Sequence, residues 1–257
     1  MPGPDTGFGW QEGAGALSVI ALVAFLVTWV VTDLLHVHRA VYVGILSATV
    51  LALSATYLAW SGTSMTGLIG SGWGWGLVAG IVAAGLAAPL VRRLPSAPHP
   101  AGARLGGLLL WEGLVYGSAE AVLLATLPVL AVWQAMSERG WTASTVAKVG
   151  SGTLAIAGAL VVILVHHLGY VEFRASAARR KLVGALATCG VQALAFLLTG
   201  NILASLLAHI VLHSQMILRG VPLPPVSRAP GASRDPTSRS STSRSRTGAV
   251  ASSASVE

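Results

Sequence analysis

Two histidines inside an apolar segment are the residues of this sequence whose types and spacing most clearly suggest chemistry. His209 and His213 are four residues apart in the segment 198–220, which reads LTGNILASLLAHIVLHSQMILRG. On a helix this spacing places the two rings about 40° apart on one face. Ionisable groups are costly within a membrane, so they normally face a bundle interior or a wet cavity. The pair therefore indicates a candidate functional site.

A second set of polar residues lies in the apolar segment 105–135. Glu112, Tyr116 and Glu120 follow one another at intervals of four residues, so a helix would carry all three on one face. An unpaired carboxylate at the depth of Glu120 would be costly, and a histidine on another helix is the simplest partner for it. We therefore expect Glu120 to meet an imidazole.

The pair His166 and His167 closes a third apolar segment, 149–169. Adjacent helical residues are about 100° apart, so only one of the two rings can face the bundle. The first three apolar segments contribute only Asp33, His36 and His38, all near one end. The chemistry is therefore expected in residues 105–220, where an acid of one helix meets imidazoles of two others.

The composition places these residues in a polytopic membrane protein. The chain has 257 residues, of which 54% are hydrophobic and only 10% charged, with a mean hydropathy of +0.72. Soluble domains have about 25% charged residues. The net charge of +7 does not indicate a nucleic-acid partner, because the basic residues lie between apolar segments and in the C-terminal region. We predict an all-α bundle of about seven transmembrane helices in the lipid bilayer.

The seven predicted helices follow from the length that a bilayer requires, about 20 apolar residues each. The fourth segment is too long for one straight helix and contains Gly113, Gly117 and Pro128, so a kink or a break is expected there. The sixth and seventh segments form a tight hairpin at Gly200 and Asn201. The segments are 17–36, 40–60, 74–92, 105–135, 149–169, 181–198 and 200–219.

The basic residues predict the orientation of the chain in the cell membrane. Fourteen of the sixteen lie in one alternate set of connections, and only Arg139 and Lys148 lie in the other. The positive-inside rule then places the N-terminus outside and the C-terminus in the cytoplasm. No positive charge precedes the first apolar segment, so it is expected to be retained rather than cleaved as a signal peptide. The Ser-, Arg- and Pro-rich tail 221–257 is predicted to be disordered.

The order of these motifs resembles the CPBP family, which comprises the type II CAAX-prenyl proteases and bacteriocin-processing or immunity membrane proteins. The proteases of this family carry EExxxR on one span, FxxxH near the end of the next span and HxxxN on a last span. Here Glu120 takes the place of the motif-one acid, His167 followed by Leu168 and Gly169 resembles the second-motif histidine, and Gly200 through His209 resembles the start of the third motif.

The resemblance implies an intramembrane endopeptidase, or an inactive relative that binds peptides at the same site. Key motif residues differ: Ala121 replaces a second glutamate, no arginine follows at the expected spacing, Ile163 replaces the phenylalanine, and His213 replaces the asparagine. By analogy, Glu120 would activate water, His167, His209 and His213 would orient water and the oxyanion, and a peptide or membrane protein would be the substrate. The resemblance covers about residues 105–220, the CPBP-like core, while hydropathy and the basic residues predict an extracytoplasmic segment 1–16, three helices in 17–104 and the cytoplasmic tail 221–257.

Two other classes of function fit the same residues. His167, His209, His213 and Glu120 are candidate ligands for Zn²⁺ or another transition metal, and histidines on separate helices could hold a haem. A Glu–His pair could also relay protons or ions across the membrane. The residues alone leave these alternatives open.

Overall fold

The computed structural model describes residues 8–96, 98, 100–175 and 178–221, and within them every regular element is a helix. Six helices are long and apolar enough to cross a membrane, and a seventh is shorter but equally apolar. The prediction of an all-helical multi-pass bundle is therefore confirmed. The predicted disordered tail lies, apart from Val221, outside the described residues.

Nine helices follow one another along the described chain. The short helices α3 and α7 lie in connections, and the other seven correspond to the predicted apolar segments. Their bounds are α1 Trp10–Leu34, α2 Arg39–Ser61, α3 Met65–Gly70, α4 Trp73–Arg92, α5 Gly102–Glu138, α6 Thr145–Leu168, α7 Val171–Arg174, α8 Arg179–Thr199 and α9 Ile202–Leu218.

Helix α1 begins seven residues before the predicted start at residue 17, so part of the predicted N-terminal segment is helical. Glu12 lies in its first turn, where a negative charge is favourable at a helix N-terminus. Gly13 is buried against α5, and a Cβ atom there would lie 2.5 Å from Cβ of Ala135. The apolar run alone did not indicate this start, because the helix continues towards the N-terminus beyond that run, where it packs against α5.

Helix α5 lies at the centre of the bundle and is the most buried of the spans, with 83% of its most apolar stretch buried. The predicted break does not occur: the backbone stays helical through Gly117, Ala121 and Leu127. Instead the helix contains two π-helical segments, Leu109–Tyr116 and Ala121–Thr126. Pro128 lies two residues after the second segment, near the start of the α-helical stretch Leu127–Glu138 that continues the same helix.

Small residues bring α4 and α9 into close contact. A Cβ atom on Gly80 would lie 3.0 Å from the Ala204 carbonyl oxygen, and Ala83, Ala204 and Ala208 pack together nearby. Such small residues allow close helix approach within membranes. The predicted α8–α9 hairpin is confirmed, with Gly200 in the left-handed region at φ +63°.

Asn201 fixes this hairpin to the α3–α4 turn. Its side-chain amide donates to the carbonyl oxygens of Ile69 and Ser71 at 2.8 and 2.7 Å. Its Oδ1 atom accepts from the Leu203 N–H at 2.9 Å and so caps α9. The start of the histidine-bearing helix is thereby held to the α3–α4 turn.

Candidate functional site

Glu120 is a buried carboxylate with three hydrogen-bonding partners on three helices. It lies between the two π-helical segments of α5 and is only 6% exposed. His213 Nε2 on α9 is 2.7 Å from its Oε2 atom, and His166 Nε2 on α6 is 3.2 Å from Oε1. The Tyr116 hydroxyl donates to the same Oε1 at 2.5 Å. The expected meeting of a carboxylate with imidazoles of two other helices therefore occurs.

His166, rather than His167, is the histidine of α6 that contacts Glu120. His166 is fully buried, whereas His167 is partly exposed and its Nδ1 atom lies 2.8 Å from the Ile163 carbonyl oxygen in its own helix. The His167 ring packs edge-on against Phe173 at 5.0 Å. The choice of His167 from the motif resemblance is thus corrected, because the rotation of α6 turns the neighbouring residue towards the bundle.

The two histidines of α9 have different partners. His213 contacts Glu120, while Nε2 of His209 lies 3.8 Å from Sγ of Cys189 on α8. The two imidazole rings are stacked, with their centroids 6.2 Å apart. His209 is therefore buried one helical turn from His213 and stacks against the His213 ring. It does not contact Glu120 itself.

Glu112, the other carboxylate of the predicted stripe, is paired with an arginine that the sequence analysis did not select. Arg39 Nε, at the start of α2, donates to Glu112 Oε2 at 2.7 Å. The guanidinium carbon of Arg39 also lies 4.9 Å from the centre of the Tyr116 ring, a cation–π geometry. The ion pair therefore lies directly beside the tyrosine that donates to Glu120.

Two glycines of α5 allow this helix to approach α9 closely. A Cβ atom on Gly117 would lie 3.2 Å from Cα of Ile210, and one on Gly113 would lie 2.9 Å from Oγ of Ser214. Larger side chains at these positions would push α9 away. The glycines thus set the separation across which His213 reaches Glu120.

Arg174 holds the connection that follows α6 in place. Arg174 Nη2 lies 2.9 Å from Asp33 Oδ2, and the same guanidinium donates to the carbonyl oxygens of Leu168 and Gly169 at 2.7 and 2.8 Å. Burial raises the pKa of Glu172 in this connection, and the positive charges of Lys181 and Arg39 oppose that rise. The connection is therefore tied both to α1 and to the end of α6.

The sequence analysis missed the contribution of the first two helices. It located the chemistry in residues 105–220, yet Thr28 of α1 lies 3.1 Å from Nδ1 of His166, and Tyr42 of α2 lies 3.2 Å from the Thr28 hydroxyl. Tyr170, in the connection after α6, is also buried against this group. The available signal was the presence of Thr and Tyr hydroxyls within apolar stretches, where they need hydrogen-bonding partners.

An apolar cavity of about 340 Å³ lies on another face of α5. Ser118 and Ala119 of α5 line it, together with Val50 of α2 and Leu68 of α3. Glu120, His166 and His213 are not among its lining residues. The cavity is therefore adjacent to the carboxylate along the chain but separate from the hydrogen-bonded cluster.

Several of these histidines and Glu120 are the candidate metal ligands of the sequence analysis. Among the described residues, no three His, Cys, Asp or Glu side chains are arranged to hold a metal ion. The Nε2 atoms of His166 and His213 are both directed at the Glu120 carboxylate. The arrangement is that of a hydrogen-bonded acid–imidazole cluster.

Comparison with known proteins gives no assignment: no family model, no curated protein and no solved structure matches this chain.

Proposed function

We propose that the protein is a CPBP-like intramembrane endopeptidase in which Glu120 is the general base. The observation that carries the proposal is the contact of one buried carboxylate with His166 of α6 and His213 of α9. The resemblance implies an acid, a histidine and a second histidine on spans in this same order. His166 takes the place that the motif resemblance gave to His167.

The proposed reaction is hydrolysis of a peptide bond. Glu120 takes a proton from water as the water attacks the scissile carbonyl, and imidazole N–H groups donate to the oxygen that becomes negatively charged. The same carboxyl group then gives its proton to the amide nitrogen, which leaves as an amine when the C–N bond breaks. His213 can orient the attacking water, because its Nε2–H faces Glu120 and its buried Nδ1 atom, which makes no hydrogen bond within the described structure, is then an acceptor. A buried polar atom without a partner is costly, so a ligand or water is expected to complete it.

Two polar groups that the protease motifs contain, and that this sequence lacks at the motif positions, have counterparts in this structure. Arg39 of α2 provides a guanidinium beside Glu112 and Tyr116, although no arginine follows Glu120 at the motif spacing. His213 occupies the position of the motif-three asparagine, and an imidazole N–H replaces the amide donor. The proposal therefore assigns to Arg39 and His213 the polar groups that the motifs place elsewhere.

The alternative functions have less support from the geometry. A haem ligand needs an imidazole nitrogen directed at iron, yet the Nε2 atoms of His166 and His213 both face the Glu120 carboxylate. A transmembrane proton relay needs polar groups that lead from one side of the bilayer to the other. The hydroxyl groups around Glu120 instead form a local cluster among α1, α2, α5 and α6. We therefore favour the hydrolytic role.

We place the site in the cytoplasmic half of the cell membrane, with the N-terminus outside. The support is the distribution of basic residues, since fourteen of sixteen lie in one alternate set of connections. In a Cys189→Ala background, a single cysteine introduced at Ser144 should be labelled from outside the cell. A single cysteine introduced at Ser96 should be labelled only after permeabilisation. The reverse pattern would contradict the orientation.

The function is tested by comparing protein termini in cells. Cells that lack the gene would be complemented with the wild-type protein or with Glu120→Gln, and newly exposed N-termini of membrane proteins would be quantified. We expect a set of cleavage products that requires the wild-type carboxylate. Identical termini in the two strains, at equal expression, would contradict the proposal.

A further inference from the structure

Glu120 belongs to a closed ring of hydrogen-bonded groups that extends through four helices and one connection. We call it the hydrogen-bond ring. Two of its members lie on α5, and one each lies on α1, α2, α6 and the connection after α6. In order around the ring they are Glu120, Tyr116, Tyr170, Tyr42, Thr28 and His166.

Each link of the ring has the length of a hydrogen bond. Beyond the two links at Glu120, the Tyr116 and Tyr170 hydroxyls are 3.0 Å apart, and those of Tyr170 and Tyr42 are 2.8 Å apart. The Tyr42 hydroxyl is 3.2 Å from Thr28 Oγ1, which is 3.1 Å from His166 Nδ1. All of these residues are buried, so neighbouring protein groups must satisfy their hydrogen bonds.

The direction of donation around the ring follows from the chemistry of its members. An ionised carboxylate only accepts, so Tyr116 donates to Glu120 and has no proton left for Tyr170. Tyr170 must then donate to Tyr116, Tyr42 to Tyr170, and Thr28 to Tyr42. The only remaining donor for Thr28 is the Nδ1–H group of His166.

A second contact supports a proton on His166 Nδ1. This nitrogen also lies 3.3 Å from the carbonyl oxygen of Ala24, which can only accept. The other nitrogen, Nε2, faces the carboxylate oxygen of Glu120 at 3.2 Å. Both ring nitrogens of His166 therefore face acceptors that only a protonated nitrogen can satisfy.

Counting protons gives the same result. The ring has six links, the four hydroxyls supply four protons, and an ionised Glu120 supplies none. His166 must supply two protons for all six links to be hydrogen bonds. With a neutral His166, one link would join two acceptor atoms without a proton between them, which is costly in a buried site.

We propose that Tyr170, Tyr42 and Thr28 are positioning residues of the Glu120 site, because they close a ring of donors that holds His166 against the carboxylate as a doubly protonated imidazolium. The assignment of Glu120 as the reactive group rests on the proposed function, whereas the ring itself does not. The imidazolium balances the charge of the carboxylate, which reduces the cost of burying both groups. The ionised carboxylate that results also requires the Tyr116 hydroxyl to donate to Glu120.

The test is a measurement of nitrogen protonation by NMR. The full-length protein would be labelled with ¹⁵N-histidine in nanodiscs at neutral pH, and the His166 signals would be assigned by their loss in His166→Gln. We expect two protonated ring nitrogens for His166 in the wild type. In Tyr170→Phe two links disappear and Thr28 can turn to donate to Nδ1, so only the longer contact with the Ala24 carbonyl still favours the Nδ1 proton. We therefore expect the Nδ1–H signal of His166 to be weaker, relative to its Nε2–H signal, than in the wild type.

Two further variants make this test decisive. Tyr42→Phe opens the ring at another point and should weaken the Nδ1–H signal in the same way, including when Tyr170→Phe fails to fold. Tyr57→Phe is the matched control, because Tyr57 is also a buried tyrosine of α2, and its hydroxyl donates to Gln134 instead of to the ring. A singly protonated His166 in the wild type, or an Nδ1–H signal of unchanged relative strength in the folded tyrosine variants of the ring, would overturn the proposal. Neither result depends on peptide cleavage, so failure of the proposed function would be seen separately.

Discussion

His213 Nε2 lies 2.7 Å from Glu120 Oε2, although the two residues are 93 positions apart in the sequence. The contact joins the last helix of the bundle to the central one. It depends on the close approach of α5 and α9 at Gly117, where a Cβ atom would lie 3.2 Å from Cα of Ile210. The carboxylate and its imidazole partner are thus placed by helix packing and not by a local motif.

The first prediction concerns the relative importance of the four inner histidines. Because His166 and His213 contact Glu120 directly, replacing either with Gln should lower the cleavage rate by about 10²-fold or more, the usual contribution of a group that transfers or donates a proton. His209→Gln and His167→Gln should cause smaller losses. The rates would be measured on a substrate identified from the comparison of termini. A larger loss in His167→Gln than in His166→Gln would contradict the site geometry.

The second prediction concerns the α5–α9 contact. Gly117→Val should lower the free energy of unfolding by about 1–3 kcal/mol, because its side chain overlaps the backbone of α9. Gly107→Val is the control on the same helix, since a Cβ atom there would meet nothing within 4 Å. Denaturation in detergent, followed by helicity, provides the measurement. Equal stability of the two variants would show that α9 does not pack on Gly117.

The third prediction concerns the Arg39–Glu112 ion pair, whose side chains are only 12% and 10% exposed. Arg39→Met should destabilise the protein by about 3 kcal/mol, because it leaves the Glu112 carboxylate buried without this partner. The double variant Arg39→Met/Glu112→Gln should recover part of that loss. A double-mutant cycle measured by denaturation checks this, and additive losses would indicate that the two charges do not interact.

Hydropathy predicted the helices well because a membrane span leaves a strong compositional signal. Seven of the nine described helices overlap the seven predicted segments, and the hairpin at Gly200 and Asn201 occurs as expected. The start of α1 and the π-helical segments of α5 were not predictable in this way. They depend on packing and on hydrogen-bond register, which apolar composition does not record.

The candidate site was predictable only in part. Glu120 and His213 were identified because a buried ionisable group requires a partner, and this argument needs no structure. The choice between His166 and His167 depends on the rotation of α6 about its axis, which the packing of neighbouring helices determines. Thr28 and Tyr42 were missed because a hydroxyl on a distant helix gives no motif that links it to the site.

The most direct test of the central claim is hydrolysis by the purified protein in liposomes. The substrate would be a peptide spanning a cleavage site found in cells, and Glu120→Gln would be compared with Glu12→Gln. Glu12 lies in the first turn of α1, outside the Glu120 cluster, so its variant should cleave at the wild-type rate. We predict that Glu120→Gln loses cleavage while retaining the helicity of the wild type. Undiminished cleavage by a folded Glu120→Gln protein would contradict the assignment of Glu120 as the general base.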